Sequence, residues 1–213
     1  QAIKYHQQSL IIAREIGNRQ GEGSVLGGLG NDYYALGNYP QAIEYHEQSL
    51  TIAWEIGDRK GEGISLRNLG NACHAQGNYA QAIEYHQQSL TIAKEIGDRN
   101  DEGSALGNLG NAYDSLGDYT QAINYHQQSL TILREIGDRH CEGTVLGNLG
   151  SAYLSLGKYP QAIDYFQQGL TIAREIGDYH REEQILTYLG RAYCALGNYE
   201  KATECNQQHL TIV

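Results

Sequence analysis

A period of forty residues runs through this 213-residue chain without one insertion or deletion. Gln41-Ala42-Ile43-Glu44-Tyr45-His46 returns as Gln81-Ala82-Ile83-Glu84-Tyr85-His86 and as Gln121-Ala122-Ile123-Asn124-Tyr125-His126. Its fourth return is Gln161-Ala162-Ile163-Asp164-Tyr165-Phe166. Asn68-Leu69-Gly70-Asn71-Ala72 likewise becomes Asn108-Leu109-Gly110-Asn111-Ala112, then Asn148-Leu149-Gly150-Ser151-Ala152. A fixed offset means that each unit packs on the next in one way, because an indel would break the stacking register. The chain therefore reads as a linear array.

Each unit contains two helical patterns. In the second, Ala42, Tyr45, His46, Ser49, Leu50, Ile52, Ala53 and Ile56 recur at helical spacing, with Glu44, Glu47, Gln48 and Glu55 opposite. Gly57 stands where a helix end favours glycine. The first helix of a unit is expected over about 62–76, followed by a short turn at Gly77-Asn78-Tyr79. Pro40 and Pro160 fall at the start of second helices, where a missing N–H is harmless. The expected layout is a lone helix over 1–16 and units starting near 22, 62, 102, 142 and 182. The last second helix is cut short at Leu210-Thr211-Ile212-Val213.

First helices carry glycines at 103, 107 and 110 and at the equivalent positions of other units. Each costs about 0.5–1 kcal/mol against Ala in a helix, so a close neighbour is implied. Gly110 is expected to admit its partner helix at Ala122, with Gly103 and Gly107 on the flank nearer a groove.

Leu69-Gly70, Cys73, Gly77, Tyr79 and Ala82, followed by the apolar second helix, resemble the tetratricopeptide repeat, lengthened from its usual 34 residues. The fuller pattern from Gly137-Asp138-Arg139 through Glu142-Gly143 to Leu146-Gly147-Asn148-Leu149-Gly150 is similar to the Partner-of-Inscuteable scaffolds and to bacterial, often cyanobacterial, arrays. The resemblance covers the whole chain. It implies an all-α solenoid, a right-handed superhelix of hairpins whose first helices line a concave groove. It also implies a non-enzymatic protein-binding scaffold in which inner-face asparagines hold extended peptides. The GoLoco segments of that scaffold family are absent from this stretch, so its G-protein role is not carried over.

Fifteen basic against twenty-five acidic residues give a net charge of −10, which repels nucleic acid and anionic lipid. No apolar run approaches the ~18 residues of a membrane span. Four cysteines without a paired spacing read as reduced thiols, hence a cytoplasmic setting. The chain begins at Gln1 and contains no Met, so it reads as an excised piece of a longer protein. Ends without polar capping helices suggest end-to-end self-association as the alternative role.

Candidate chemistry is sparse. His6, His46, His86 and His126 recur at forty, but packed helices lie about 8–10 Å apart while zinc ligands sit within about 2.1 Å of the metal. They are expected to be satisfied packing residues at a helix–helix contact, a place taken by Phe166 in the fourth unit. The glycines near Gly21 and Gly28 fall inside a helix with no preceding strand, unlike a phosphate cradle. No catalytic constellation, cofactor site or metal site is expected.

The expected binding face is the row Asn31, Asn71 and Asn111, ending in Ser151 and Arg191, beside the row Asn68, Asn108 and Asn148. A carboxamide can both donate to and accept from a peptide backbone. The same asparagines could instead bond neighbouring helices, and both roles stay open. Arg67 and Arg191 would favour acidic side chains on a protein or peptide partner, with Asp114 opposing them. Tyr34, His74, Asp114, Leu154 and Cys194 form a varied row at one repeat position. Trp54 stands where other units have Lys or Arg and is expected to be exposed. About 40 Å of groove would take about 12 extended residues.

Overall fold

The computed structural model describes residues 1–210. The expected Thr211–Val213 end of the last helix lies outside the described residues. Eleven helices and no strand occupy the described residues, which are 87% helical. In order they are α1 (Ala2–Glu15), α2 (Arg19–Ala35), α3 (Tyr39–Ile56), α4 (Arg59–Ala75), α5 (Tyr79–Ile96) and α6 (Arg99–Ser115). Then come α7 (Tyr119–Ile136), α8 (Arg139–Ser155), α9 (Tyr159–Ile176), α10 (Tyr179–Ala195) and α11 (Tyr199–Leu210). The chain divides into two units, Gln1–Ala112 and Tyr113–Val213, the division falling inside α6.

First helices begin three residues earlier than expected, at Arg59 rather than near Glu62. The reason is a cap. Gly57 closes α3 in the left-handed conformation (φ 70°), and the next residue, Asp58, already accepts a bond from the Gly61 N–H at 2.9 Å. Asn18, Asp138 and Asp178 do the same for α2, α8 and α10. Glycine and cap together make the two-residue connection that holds neighbouring helices antiparallel.

Within the first unit, Leu26 and Leu29 of α2 pack with Ile52 of α3, and Leu66 and Leu69 of α4 with Leu50 and Ile92. In the second, Leu146 and Leu149 meet Leu130, Leu133 and Ile172, and Phe166 packs with Leu186 and Leu189. Carboxylates at the helix starts are paired as they are buried: Glu142 takes bonds from Arg134 at 2.8 Å and Arg139 at 2.7 Å. Glu22 is held likewise by Arg14 and Arg19, which keep its carboxyl below the usual range. Trp54 replaces that first arginine beside Glu62 and is exposed, as expected.

One glycine expectation is corrected. Gly30, Gly70 and Gly150 do not make room for the small alanine of the second helix. They face the rings of His46, His86 and Phe166, which an added Cβ would approach to 2.4–2.5 Å. Gly23, Gly63 and Gly143, the equivalents of Gly103, face the isoleucines Ile52, Ile92 and Ile172 at 3.0–3.2 Å. They serve packing, and Gly23 with Gly27 also lines a groove beside α4.

The candidate asparagine-lined site

α2, α4 and α6 carry the asparagines of the first unit. Asn108 Nδ2 donates to Asn71 Oδ1 at 3.1 Å, and Asn68 Nδ2 donates to Asn31 Oδ1 at 3.4 Å. Each bond links successive first helices, which is the neighbour-bonding role of the two left open by the sequence. In each pair one amide group of the earlier residue and one carbonyl of the later are left over, a donor and an acceptor side by side.

Asn71, Asn108 and Asn111 surround a cavity of about 180 Å³ together with Tyr34, His74 and His86. His86 is 1% exposed, and its Nδ1 has no hydrogen-bond partner. The same holds for Nδ1 of His46 and His126. The expectation of satisfied packing histidines is therefore half right: the rings pack, but a nitrogen is orphaned. Burial, with the charges of His74 and Arg67 added, pushes the His86 pKa down to about 4, so the ring is neutral. His6 differs in having a partner, Asp32, at 2.7 Å.

Arg67 is not available as a free cation. It bonds Asp101 on α6, and the two side chains are only 25% and 19% exposed. Tyr34 and His74 of the varied row rest on the rings of Tyr39 and Tyr79 at 5.6 and 5.1 Å. The second unit holds the other expected residues. Asp114 is half-buried, and desolvation raises its pKa. Asn148 sits on α8 and Arg191 on α10. The Arg191 guanidinium lies 5.6 Å over the Tyr188 ring, and that ring stacks on Phe166 at 5.5 Å. Tyr188 there stands where the first unit has Asn68 and Asn108.

Among the described residues, no three potential metal ligands come together, and no helix is long and apolar enough to cross a membrane. All four cysteines are free thiols, with Cys73 and Cys205 buried.

Stacked helical hairpins define the class of helical repeat proteins. The chain belongs to the tetratricopeptide repeat family, whose model matches residues 1–53, 62–135 and 141–213, a second such model matching 28–95. The fold is similar to BtubC (BKLC) from P. vanneervenii, with a TM-score of 0.89 at 20% identity over 99% of this chain and 89% of that one. It is also similar to a signal-transduction ATPase with a tetratricopeptide repeat sensor from Pyrococcus horikoshii. There the TM-score is 0.83 at 24% identity, over 91% of this chain and 30% of that one. A Rap protein complexed with Competence and Sporulation Factor gives 0.74 at 16% identity, over 99% and 69%. No curated protein matches the sequence. Scaffolds of this family typically mediate protein–protein interaction and are generally non-catalytic.

Proposed function

We propose that this chain is a single tetratricopeptide array that binds an extended peptide segment of a protein partner along its asparagine-bearing first helices. One observation carries the reading. The Asn71–Asn108 pair leaves a donor and an acceptor together at the rim of a cavity whose floor is a buried imidazole. A peptide unit presents the complementary pair, C=O and N–H, so a main chain is the natural occupant. A fold neighbour known in complex with a factor, the Rap protein, is in keeping with this. With Arg67 bonded to Asp101, a preference for acidic side chains rests on Arg191 alone. The free thiols support a cytoplasmic setting.

Asn108→Ala tests the reading. Calorimetry with a peptide selected from a random library should show binding weakened by about 1–3 kcal/mol, with the circular dichroism melt nearly unchanged. A melt that collapses together with binding would make the asparagines purely structural.

Self-association is supported by a different observation. Ile12 of α1 is 56% exposed, while Ile52 at the same repeat position is 4% exposed under α2. Light scattering over a concentration series should then show growth in mass that Ile12→Lys abolishes; a monomer throughout overturns this role.

A further inference from the structure

Arg67 and Asp101 join α4 to α6. One repeat earlier, the equivalent positions on α2 and α4 are Gly27 and Gly61. No side chain crosses there, and a groove of about 520 Å³ stays open between the two helices. Its floor is apolar, from Ile52, Ile56 and Ile64, and Asp58 stands in its wall.

Asp58, like Asp138, differs from two of its equivalents. Asp98 receives the Lys60 ammonium at 3.1 Å, and Asp178 receives the Arg181 guanidinium at 3.1 Å with His140 at 4.0 Å. At the places of Lys60 and Arg181, Asp58 finds the neutral Gln20 and Gly61. Its hydrogen bond is to the Gly61 N–H of the helix it caps. Lys60 also lines the groove, but its ammonium is given to Asp98. The groove thus combines open volume, an apolar floor and one carboxylate without a cation.

We infer that the groove between α2 and α4 takes an arginine or lysine side chain of a partner peptide, its head on Asp58 and its stem on Ile56 and Ile64. One repeat later Arg67, at the Gly27 position, bonds a carboxylate on the next first helix, which supports a basic side chain as the occupant here. Long basic side chains lay an apolar stem on such a floor while the charged head bonds a carboxylate. The net charge of −10 draws a cationic partner rather than an acidic one. This site does not depend on the asparagine rungs around His86, because it is lined by different residues of the same unit.

The test is selection of displayed random dodecapeptides on wild type and on Asp58→Asn, which keeps the cap as Asn18 does for α2. Wild type should enrich Arg or Lys at one peptide position, and Asp58→Asn should lose that enrichment. In titration, replacing that basic residue by Gln, or Asp58 by Asn, should weaken binding by about tenfold. Gly27→Arg combined with Gly61→Asp installs the Arg67–Asp101 pair in this repeat and should abolish the preference, while Asn108→Ala should leave it intact. Peptides without a basic position, or with one that survives in both groove variants, overturn the inference. Peptides that lose affinity on Asn108→Ala but show no basic preference would support the rung reading and sink this one.

Discussion

His86 and Phe166 hold one repeat position eighty residues apart, and their surroundings make the same demand of the ring. Gly70 and Gly150 press on them so closely that an added Cβ would meet ring atoms at 2.4 and 2.5 Å, and the rings are 1% and 0% exposed. Flatness and volume are therefore what the helix contact requires. Polarity is not, since Phe166 serves and goes on to stack against Tyr188. The imidazole leaves Nδ1 without a partner, an arrangement that burial makes costly. What it adds is a polar floor beneath Asn71, Asn108 and Asn111. The repeats with histidine give up some stability for a polar group at this contact, and the repeat with Phe166 has an aromatic one.

Acid should break this comparison open most widely. An unfolded histidine takes up its proton near pH 6.5, but His46, His86 and His126 do so only near pH 4 in the fold, because burial disfavours the charged ring. Between those values the unfolded state binds more protons, so stability falls as pH falls through the window. Each ring should remove on the order of 3 kcal/mol by about pH 4. Urea unfolding at about pH 7 and about pH 4.5 measures the loss. The triple variant His46→Phe, His86→Phe and His126→Phe, which copies the Phe166 solution into the other units, should abolish most of it. A triple variant as acid-labile as its parent would show that the orphaned nitrogens are not the cause.

A smaller effect sharpens the steric half of the comparison. Gly70→Ala and Gly150→Ala should destabilise by similar amounts, about 1–3 kcal/mol, because each drives a methyl into a ring whatever its polarity. Gly147→Ala meets nothing within 4 Å and should instead stabilise by about 0.5–1 kcal/mol through helix propensity. Thermal melts of the three variants check the order. A tolerated Gly70→Ala beside a harmful Gly150→Ala would mean that the imidazole yields where the phenyl ring does not.

Much of the fold is legible in the sequence because each helix needs only local signals and a neighbour of its own kind. The apolar stripe of α3, the glycine at its end and the exposure of Trp54 follow from spacing alone. The start of α4 is harder to read because Asp58 serves two neighbours, following the glycine that ends one helix and capping the next. The site is less legible. Asn71 and Asn108 can be placed on one face, but their bond joins residues 37 apart, on different helices. Arg67 reads as a free cation because its partner, Asp101, breaks the repeat consensus and meets it only across two helices.

The sequence by itself determined the repeat register, the helix pairs and which residue types recur along one face, since periodicity and capping act within a few turns of chain. Only the tertiary structure decided which polar groups are satisfied. His86 loses its partner, Arg67 gains one and Asp58 is left facing an open groove. The physical reason is that a hydrogen bond or an ion pair depends on distances of about 3 Å between atoms brought together by packing, to which a forty-residue spacing is blind.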